Sequence, residues 1–231
     1  MLLHEDIEME EAALDGMLCI CVPVSVWVPA DGREPEITTY RNVWDICREY
    51  EKKFGGELFS KSALDWLRNS VEPVAKSMGY TPDRNESRVV REYRIAESND
   101  RIKAYDKNAK LIRNADEVKD MECLCLHKPE TGEEDWDACA VVICDGKICA
   151  VAGLNDMFSD DTYEIYVETA KAYRGKGFAT AAVAALSEYL ISLGCVVGYK
   201  CGEDNKASAA VAEKLGMKLD GCRFDMVCYA D

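Results

Sequence analysis

The sequence contains no long apolar run. Nowhere do about 18 consecutive apolar residues occur, the length that a membrane-spanning helix needs, so no membrane partner is expected. Its start, Met1 to Glu11, is acidic, whereas a secretory leader begins with basic residues and continues into an apolar block. Internal repeats and low-complexity segments are also missing. Because the start does not resemble a secretory leader, we expect a cytoplasmic location. The hydrophobic content of 48% is ample for a packed core.

Positive charge is scarce as well. The chain has 28 Lys and Arg against 43 Asp and Glu, which gives a formal net charge of −15. This balance argues against nucleic acid as a partner, because nucleic-acid binding depends on neutralising phosphates with cations. It is compatible with a cationic substrate such as an amine, which long-range attraction would steer to the protein. Solubility alone would explain the charge equally well.

Twelve cysteines are present, but their spacing forms no disulfide or zinc framework. Cys19/Cys21 and Cys123/Cys125 are C-x-C pairs inside apolar stretches, where alternate residues share one face of a strand. A metal site at Cys123, Cys125 and His127 would lack the two-to-four-residue separation of structural zinc sites. We therefore expect no metal, and we interpret the cysteines as small core residues in a reducing compartment.

Several elements are predicted from periodicity and turn signals. Amphipathic stretches predict helices over Tyr40–Phe54 and Leu58–Met78. Asp145-Gly146 separates two alternating apolar runs, which predicts a hairpin. The alternating run Leu18–Val28 is interrupted by Pro23. Two short strands around Gly221, Met217–Asp220 and Cys222–Tyr229, are expected to close the sheet.

The most informative segment is Tyr173-Arg-Gly-Lys-Gly-Phe-Ala-Thr180. A strand-like run, Tyr163–Thr169, precedes it, and a long apolar helix-like run, Phe178–Leu193, follows. A glycine-rich turn that opens a helix leaves backbone N–H groups unpaired, and with the helix dipole these groups bind anions. Arg174 and Lys176 add positive charge, so the turn is predicted to hold a phosphorylated ligand. A turn without a ligand is the alternative.

Three known sequence patterns of phosphate-binding loops are candidates for this turn. A Walker loop needs G-x-x-x-x-G-K-[ST], which the turn lacks. A dinucleotide fingerprint needs G-x-G-x-x-G/A, and here Thr180 stands at the third position. The remaining pattern is R/Q-x-x-G-x-G/A, which Arg174, Gly177 and Ala179 match. That pattern is the coenzyme A signature of the GNAT acetyltransferases.

A second motif strengthens the resemblance. Asn205-x-x-Ser208 opens a helix-like run that continues through Glu213-Lys-Leu-Gly216-Met217. Asn205 suits a helix N-cap and Gly216 a C-terminal stop. The segment resembles the second coenzyme-binding helix of GNAT proteins, and the resemblance spans about residues 138–229. The local sequence of these motifs is similar to that of the GNAT branch that includes the zwittermicin-resistance acetyltransferase.

The resemblance implies a fold class and a domain plan. The expected α/β (α+β) fold is the GNAT fold, a mixed, mostly antiparallel central sheet flanked by helices. Residues 131–231 would form the acetyl-CoA-binding core. Residues 1–130 would form an α/β lobe that covers the acceptor side.

The resemblance also implies donor-binding residues, with acetyl-CoA as co-substrate. Backbone amides of the turn would hold the pyrophosphate, and the strand edge before it would pair with the pantetheine arm. Asn205 and Ser208 would lie near the sulfur. Many family members carry a tyrosine as general acid where this chain has Ala212. The expected cofactor-binding residues are Val167, Glu168, Thr169, Arg174, Gly175, Lys176, Gly177, Phe178, Ala179, Thr180, Asn205 and Ser208.

The proton from an attacking amine needs an acceptor. Glu164 and Glu168 are the candidates, because residues four apart on a strand share a face, and bound cofactor could raise a carboxyl pKa. A solvated strand face is the alternative. Tyr166, in the same row, could line the acceptor pocket; Asp160 and Asp161 are assigned to a polar loop.

The predicted function is acetyl transfer to an amine of a small molecule, by direct attack in a ternary complex; the catalytic residues would be Glu168, Glu164, Ser208 and Asn205. A coenzyme A-binding protein without turnover and a protein N-acetyltransferase are the alternatives. Assembly of two copies of the chain into a homodimer is compatible with the sequence.

Overall fold

The structure is a computed structural model that describes residues 1–105, 108–132, 134, 137–155 and 162–231. Asp160 and Asp161 lie outside the described residues. The chain divides into two compact units, one formed by Met1–Arg91 with Asp220–Asp231 and the other by Glu92–Leu219. The predicted division near residue 130 stays a prediction.

The described residues form strands and helices with the following bounds. The strands are β1 (Leu2–Glu5), β2 (Ile20–Cys21), β3 (Val24–Pro29), β4 (Glu36–Thr39), β5 (Tyr80–Pro82), β6 (Val89–Ile95), β7 (Lys110–Ile112), β8 (Cys139–Cys144), β9 (Lys147–Leu154), β10 (Thr162–Thr169), β11 (Val196–Gly202), β12 (Lys218–Asp225) and β13 (Cys228–Ala230). The helices are α1 (Ile7–Leu14), α2 (Trp44–Phe54), α3 (Lys61–Ser77), α4 (Asp100–Tyr105), α5 (Phe178–Ser192) and α6 (Lys206–Leu215).

In the first unit, strands β1-β4-β3-β12 lie side by side, and β2-β13-β5 form a small antiparallel sheet. Helix α3 begins where the Ser60 hydroxyl accepts from the Ala63 N–H at 3.3 Å, as a capping serine does. Its buried residues recur at helical spacing and pack into the unit's core, which they share with Tyr50 and Phe224. These buried positions are Ala63, Leu64, Leu67, Val71 and Ala75.

The structure defines two strand boundaries in the first unit more closely than the sequence does. The run Leu18–Val28 gives two strands in different sheets, because Pro23 separates β2 from β3. The two short strands expected on either side of Gly221 are instead joined in the continuous strand β12, which ends at Asp225. A Cβ on Gly221 would lie 2.4 Å from Cη2 of Trp27, so this glycine permits close packing rather than a turn.

In the second unit the strand order is β6-β11-β10-β9-β8-β7. Strands β10 and β11 pair in parallel, and β10/β9, β9/β8 and β8/β7 pair antiparallel. The predicted β8–β9 hairpin is confirmed, with Asp145 and Gly146 at φ 51° and 75° in the turn. The predicted fold class, a mixed, mostly antiparallel sheet flanked by helices, is confirmed.

Side chains on both faces of this sheet are buried. Ala140 and Val142 of β8 belong to the core that contains α5, whereas Cys139 and Val141 belong to a second cluster with Ile148. Alternation along the strand separates the two sets. Helix α5 is apolar almost all round and is therefore a central, buried helix.

All twelve cysteines are unpaired, and seven of them are buried. Burial raises the pKa of the Cys139 thiol to about 12, so it stays protonated and packs as an apolar group. No helix among the described residues is long and apolar enough to cross a membrane.

Candidate functional site

The glycine-rich turn leads from β10 into α5 as predicted. Gly175 and Gly177 adopt φ of 78° and 83°, and Gly177 is the residue at which α5 begins. An added Cβ would meet nothing within 4 Å at either position. Glycine is therefore favoured by backbone conformation rather than by lack of space. No side chain caps the N-terminus of α5 in the described turn, so its first-turn N–H groups are available to an anion.

A cavity of about 490 Å³ runs along this turn and reaches the start of α6. Lys214 and Tyr199, which the sequence did not indicate, also line it. Lys176 does not; its Nζ lies 5.0 Å from the Tyr173 ring centroid. The predicted donor residues that line this cavity, called the donor groove below, are Val167, Glu168, Thr169, Arg174, Gly175, Gly177, Phe178, Ala179, Thr180, Asn205 and Ser208.

Strands β10 and β11 diverge beside the donor groove. Their pairing covers Thr162–Glu164 and, within the described parts of the two strands, does not continue beyond. The Asn155 N–H donates to the Glu164 carbonyl, and the Ala170 N–H to that of Cys149, both at 2.9 Å. The backbone groups of residues 164, 166, 168 and 170 thus face β9. By alternation, those of Val167 point away from β9, into the gap between the strands.

Helix α6 begins as the sequence predicts. The Asn205 Oδ1 accepts from the Ser208 N–H at 3.1 Å, which is an N-cap bond, and Gly216 ends the helix at φ 75°. The Ser208 side chain is near enough to the Tyr199 hydroxyl to affect its pKa by hydrogen bonding. Burial raises the pKa of Tyr199, and the bond to Ser208 opposes this only in part, so the phenol carries its proton at neutral pH.

A second cavity, of about 740 Å³, meets the donor groove at Val167 and Glu168, which line both. Its walls come from β9, β10, Asn155 and residues 127, 130–132 and 137–138. Three carboxylates, one imidazole and one phenol line it, from Glu130, Asp137, Glu168, His127 and Tyr166. The sequence indicates His127 only as a candidate metal ligand, because it carries no signal that the segment around His127 packs on β10.

The Glu168 carboxylate is held by two backbone donors and contacts one imidazole nitrogen. The N–H groups of Leu126 and His127 donate to it at 3.0 Å, and the His127 Nδ1 lies 3.0 Å from its Oε2. Burial raises the pKa of Glu168, but the hydrogen bonds from His127 and Leu126 outweigh burial, so the pKa is below its ordinary value. This direction is opposite to the raised pKa considered from the sequence.

The Glu164 carboxylate also has fixed partners. The Asn155 Nδ2 donates to it at 2.9 Å, and the Lys200 Nζ lies 2.9 Å away. Its side chain is 16% exposed. Glu164 does not appear among the residues that line either cavity. The structure therefore brings Glu168, but not Glu164, to the junction of the two cavities.

Within the described residues, no group of three or more His, Cys, Asp or Glu side chains is arranged to hold a metal ion. Cys123 Sγ is directed instead at the carbonyls of Cys125 and His127, at 3.8 and 3.7 Å.

Comparison with solved structures finds chains of low sequence identity. A candidate GNAT-family acetyltransferase from Novosphingobium aromaticivorans is 17% identical, with 66% of this chain and 68% of that chain covered and a TM-score of 0.47. A GCN5-related N-acetyltransferase-like protein from Streptococcus suis is also 17% identical, with 97% and 93% covered and a TM-score of 0.48. No protein with a curated description matches the chain.

A family comparison matches the part of the chain that contains both cavities. Residues 108–217 match the family model described as the acetyltransferase (GNAT) family. These residues are slightly less than half of the 231-residue chain. The match supports the interpretation of this segment, with its glycine-rich turn and capped α6, as that of a GNAT-family acetyltransferase.

Proposed function

We propose that the protein transfers an acetyl group from acetyl-CoA to the amine of a small molecule, by direct attack within a ternary complex. The observation that carries the proposal is the junction of the two cavities at Val167 and Glu168. A thioester lying in the donor groove and an amine in the second cavity would meet there. The likeness to the zwittermicin-resistance branch stays a prediction.

The donor groove fits a phosphorylated, extended ligand. The uncapped N-terminus of α5 offers backbone N–H groups to the pyrophosphate, with Arg174, Lys176 and Lys214 as nearby cations. The outward C=O of Val167 suits strand-like pairing with a pantetheine amide. The residues of the donor groove therefore fit coenzyme A.

The reaction forms one N–C bond and breaks one C–S bond. The neutral amine attacks the thioester carbonyl, and the oxygen gains negative charge that a backbone N–H can stabilise. The Val167 N–H is the proposed donor. When the C–S bond breaks, the thiolate takes a proton or hydrogen bond from the Tyr199 hydroxyl, which Ser208 orients. Tyr199 would thus take the role of the tyrosine that many family members carry at the position of Ala212.

The two alternatives make different predictions. A binding protein without turnover would hold acetyl-CoA but release no thiol with any amine. A protein N-acetyltransferase would acetylate peptides better than small amines. The second cavity's volume of about 740 Å³ is within the usual range for small-molecule pockets, which favours the small amine. The unpaired cysteines favour a reducing compartment, and we propose the cytoplasm.

The donor site is tested by placing a charge at Gly177. Asp and Asn both tolerate positive φ and both suit an N-cap, so Gly177→Asp and Gly177→Asn should fold alike. Only Asp sets a carboxylate where the pyrophosphate is expected. We expect Gly177→Asp to weaken acetyl-CoA binding at least tenfold more than Gly177→Asn, measured by calorimetry. Equal affinities of both variants and wild type would contradict the phosphate-binding assignment.

A further inference from the structure

We infer that His127, held by the Glu168 carboxylate, is the catalytic base that accepts the proton of the acceptor amine. The inference rests on the proposed function and adds a residue that lies outside the glycine-rich turn and outside α6. It assigns Glu168 a positioning role.

The hydrogen bond to Glu168 fixes the imidazole tautomer. The pKa of Glu168 lies below its ordinary value, so at neutral pH the carboxylate is ionised and can only accept hydrogen bonds. The Nδ1 atom, 3.0 Å from Oε2, must therefore carry the hydrogen. In the neutral ring the lone pair is then on Nε2, which is the atom that can accept a proton.

The imidazole is accessible from the second cavity. The His127 side chain is 65% exposed, and it lines the cavity that meets the donor groove at Val167 and Glu168. Its ring packs beside Tyr166, with centroids 5.3 Å apart. Among the described residues, the ring hydrogen-bonds through Nδ1 and not through Nε2. A ligand amine that enters the cavity can therefore approach this nitrogen directly.

Three carboxyl groups lie around the cavity that the ring lines. Glu168 bonds Nδ1, while Glu130 and Asp137 line the same cavity. Tyr166 stays neutral at physiological pH because burial raises its pKa to about 12. The Cys123 Sγ bonds the His127 backbone carbonyl rather than the ring. An imidazolium formed by proton transfer would thus be paired with the Glu168 carboxylate.

Neither Glu164 nor Glu168 is as well placed as His127 to accept the proton. Three donors occupy the Glu168 carboxylate, and its lowered pKa makes it a weak base. Glu164 bonds Asn155 and pairs with Lys200. In the step that we infer, the amine nitrogen bonds to the carbonyl carbon as its proton passes to Nε2. The thiolate leaves as the C–S bond breaks, and the imidazolium then releases its proton to solvent.

The tautomer can be measured independently of turnover. The chain has only two histidines, His4 and His127, so His4→Gln leaves a single imidazole to observe by ¹⁵N NMR. We expect the neutral ring to carry its hydrogen on Nδ1, and Glu168→Gln to abolish this preference, because an amide both donates and accepts. A neutral ring with its hydrogen on Nε2 would overturn the inference.

Activity is tested by thiol release from acetyl-CoA with a panel of primary amines. We expect His127→Gln to lower kcat/KM at pH 7 by about 100-fold or more, the usual contribution of general-base catalysis. The loss should shrink at high pH, where hydroxide can accept the proton in place of the missing imidazole. The affinity for acetyl-CoA should be unchanged, and His4→Gln should behave as wild type. A merely structural role for His127 would not produce this pH dependence.

Glu168→Gln should lower kcat/KM less than His127→Gln, and the double variant should be no worse than His127→Gln alone, because the two residues act as one unit. If His127→Gln keeps wild-type kcat/KM, the inference fails while the proposed function stands. If wild type binds acetyl-CoA but acetylates no amine, the proposed function fails, and the role of His127 with it.

Discussion

At the scale of single residues, Glu168 shows how partners decide what a carboxylate does. Its position on β10 is the one that the sequence indicates for a base, four residues from Glu164. The backbone N–H groups of Leu126 and His127 convert it into a fixed acceptor. The same contacts attach the segment around residue 127 to β10. Glu168 therefore contributes to stability as well as to the arrangement of the site.

The contribution of Glu168 to stability should depend on pH. Because its pKa in the folded protein lies below the ordinary value of 4.5, the stabilisation is present above that pH and is lost as the pH falls through the folded-state pKa. Glu168→Gln should lower the free energy of unfolding at pH 7 by about 1.5 kcal/mol, the lower end of the range for hydrogen bonds to a charged group. Urea unfolding at decreasing pH should show this difference shrinking. A difference that stays constant with pH would contradict the assignment.

Some site residues could be predicted from the sequence and others could not. Gly177 and Asn205 are indicated by local rules, since positive φ and helix capping depend on the nearest few residues. Tyr199 and His127 are not, because their roles depend on contacts with Ser208 and Glu168 that join separate elements. A tyrosine in an apolar strand and a histidine in an irregular segment carry no local signal of such a partner.

At the scale of elements, local turn chemistry predicted the second unit well. The hairpin at Asp145-Gly146 and the glycine stop of α6 both place residues at positive φ, as their types require. The prediction of two strands separated at Gly221 was wrong, because the ring of Trp27 that packs over this glycine lies 194 positions away in the chain. Glycine alone does not distinguish a bend from a close approach.

Helix α6 offers a direct test of capping. Asn205→Ala removes the bond to the Ser208 N–H and should lower the free energy of unfolding by about 1 kcal/mol. Asn205→Ser should restore most of it, because serine also caps. Urea unfolding measures both variants. If serine restores stability but not acetyl-CoA affinity, then Asn205 contacts the ligand in addition to capping. An alanine variant as stable as wild type would contradict the capping role.

At the scale of the whole molecule, the first unit contains both ends of the chain. Strand β12 pairs with β3, from Gly221 opposite Pro29 to Asp225 opposite Ser25, and β13 lies between β2 and β5. Pairings between strands about 200 residues apart leave no periodic signal in either strand. The sequence therefore predicts that these strands exist, but not which sheet each one joins.

Removing Asp220–Asp231 should consequently unfold the first unit. The deletion takes away β13, most of β12 and three fully buried side chains, those of Phe224, Met226 and Cys228. Phe224→Ala, a milder change, should cost about 3–5 kcal/mol, as for other buried phenylalanines. Hydrogen exchange read by mass spectrometry should show lost protection in β3 and β5 after the deletion. Tryptophan fluorescence should change too, since Trp27, Trp44 and Trp66 all belong to this unit. Unaltered protection of β3 would contradict the central position of β12 and β13 in this unit.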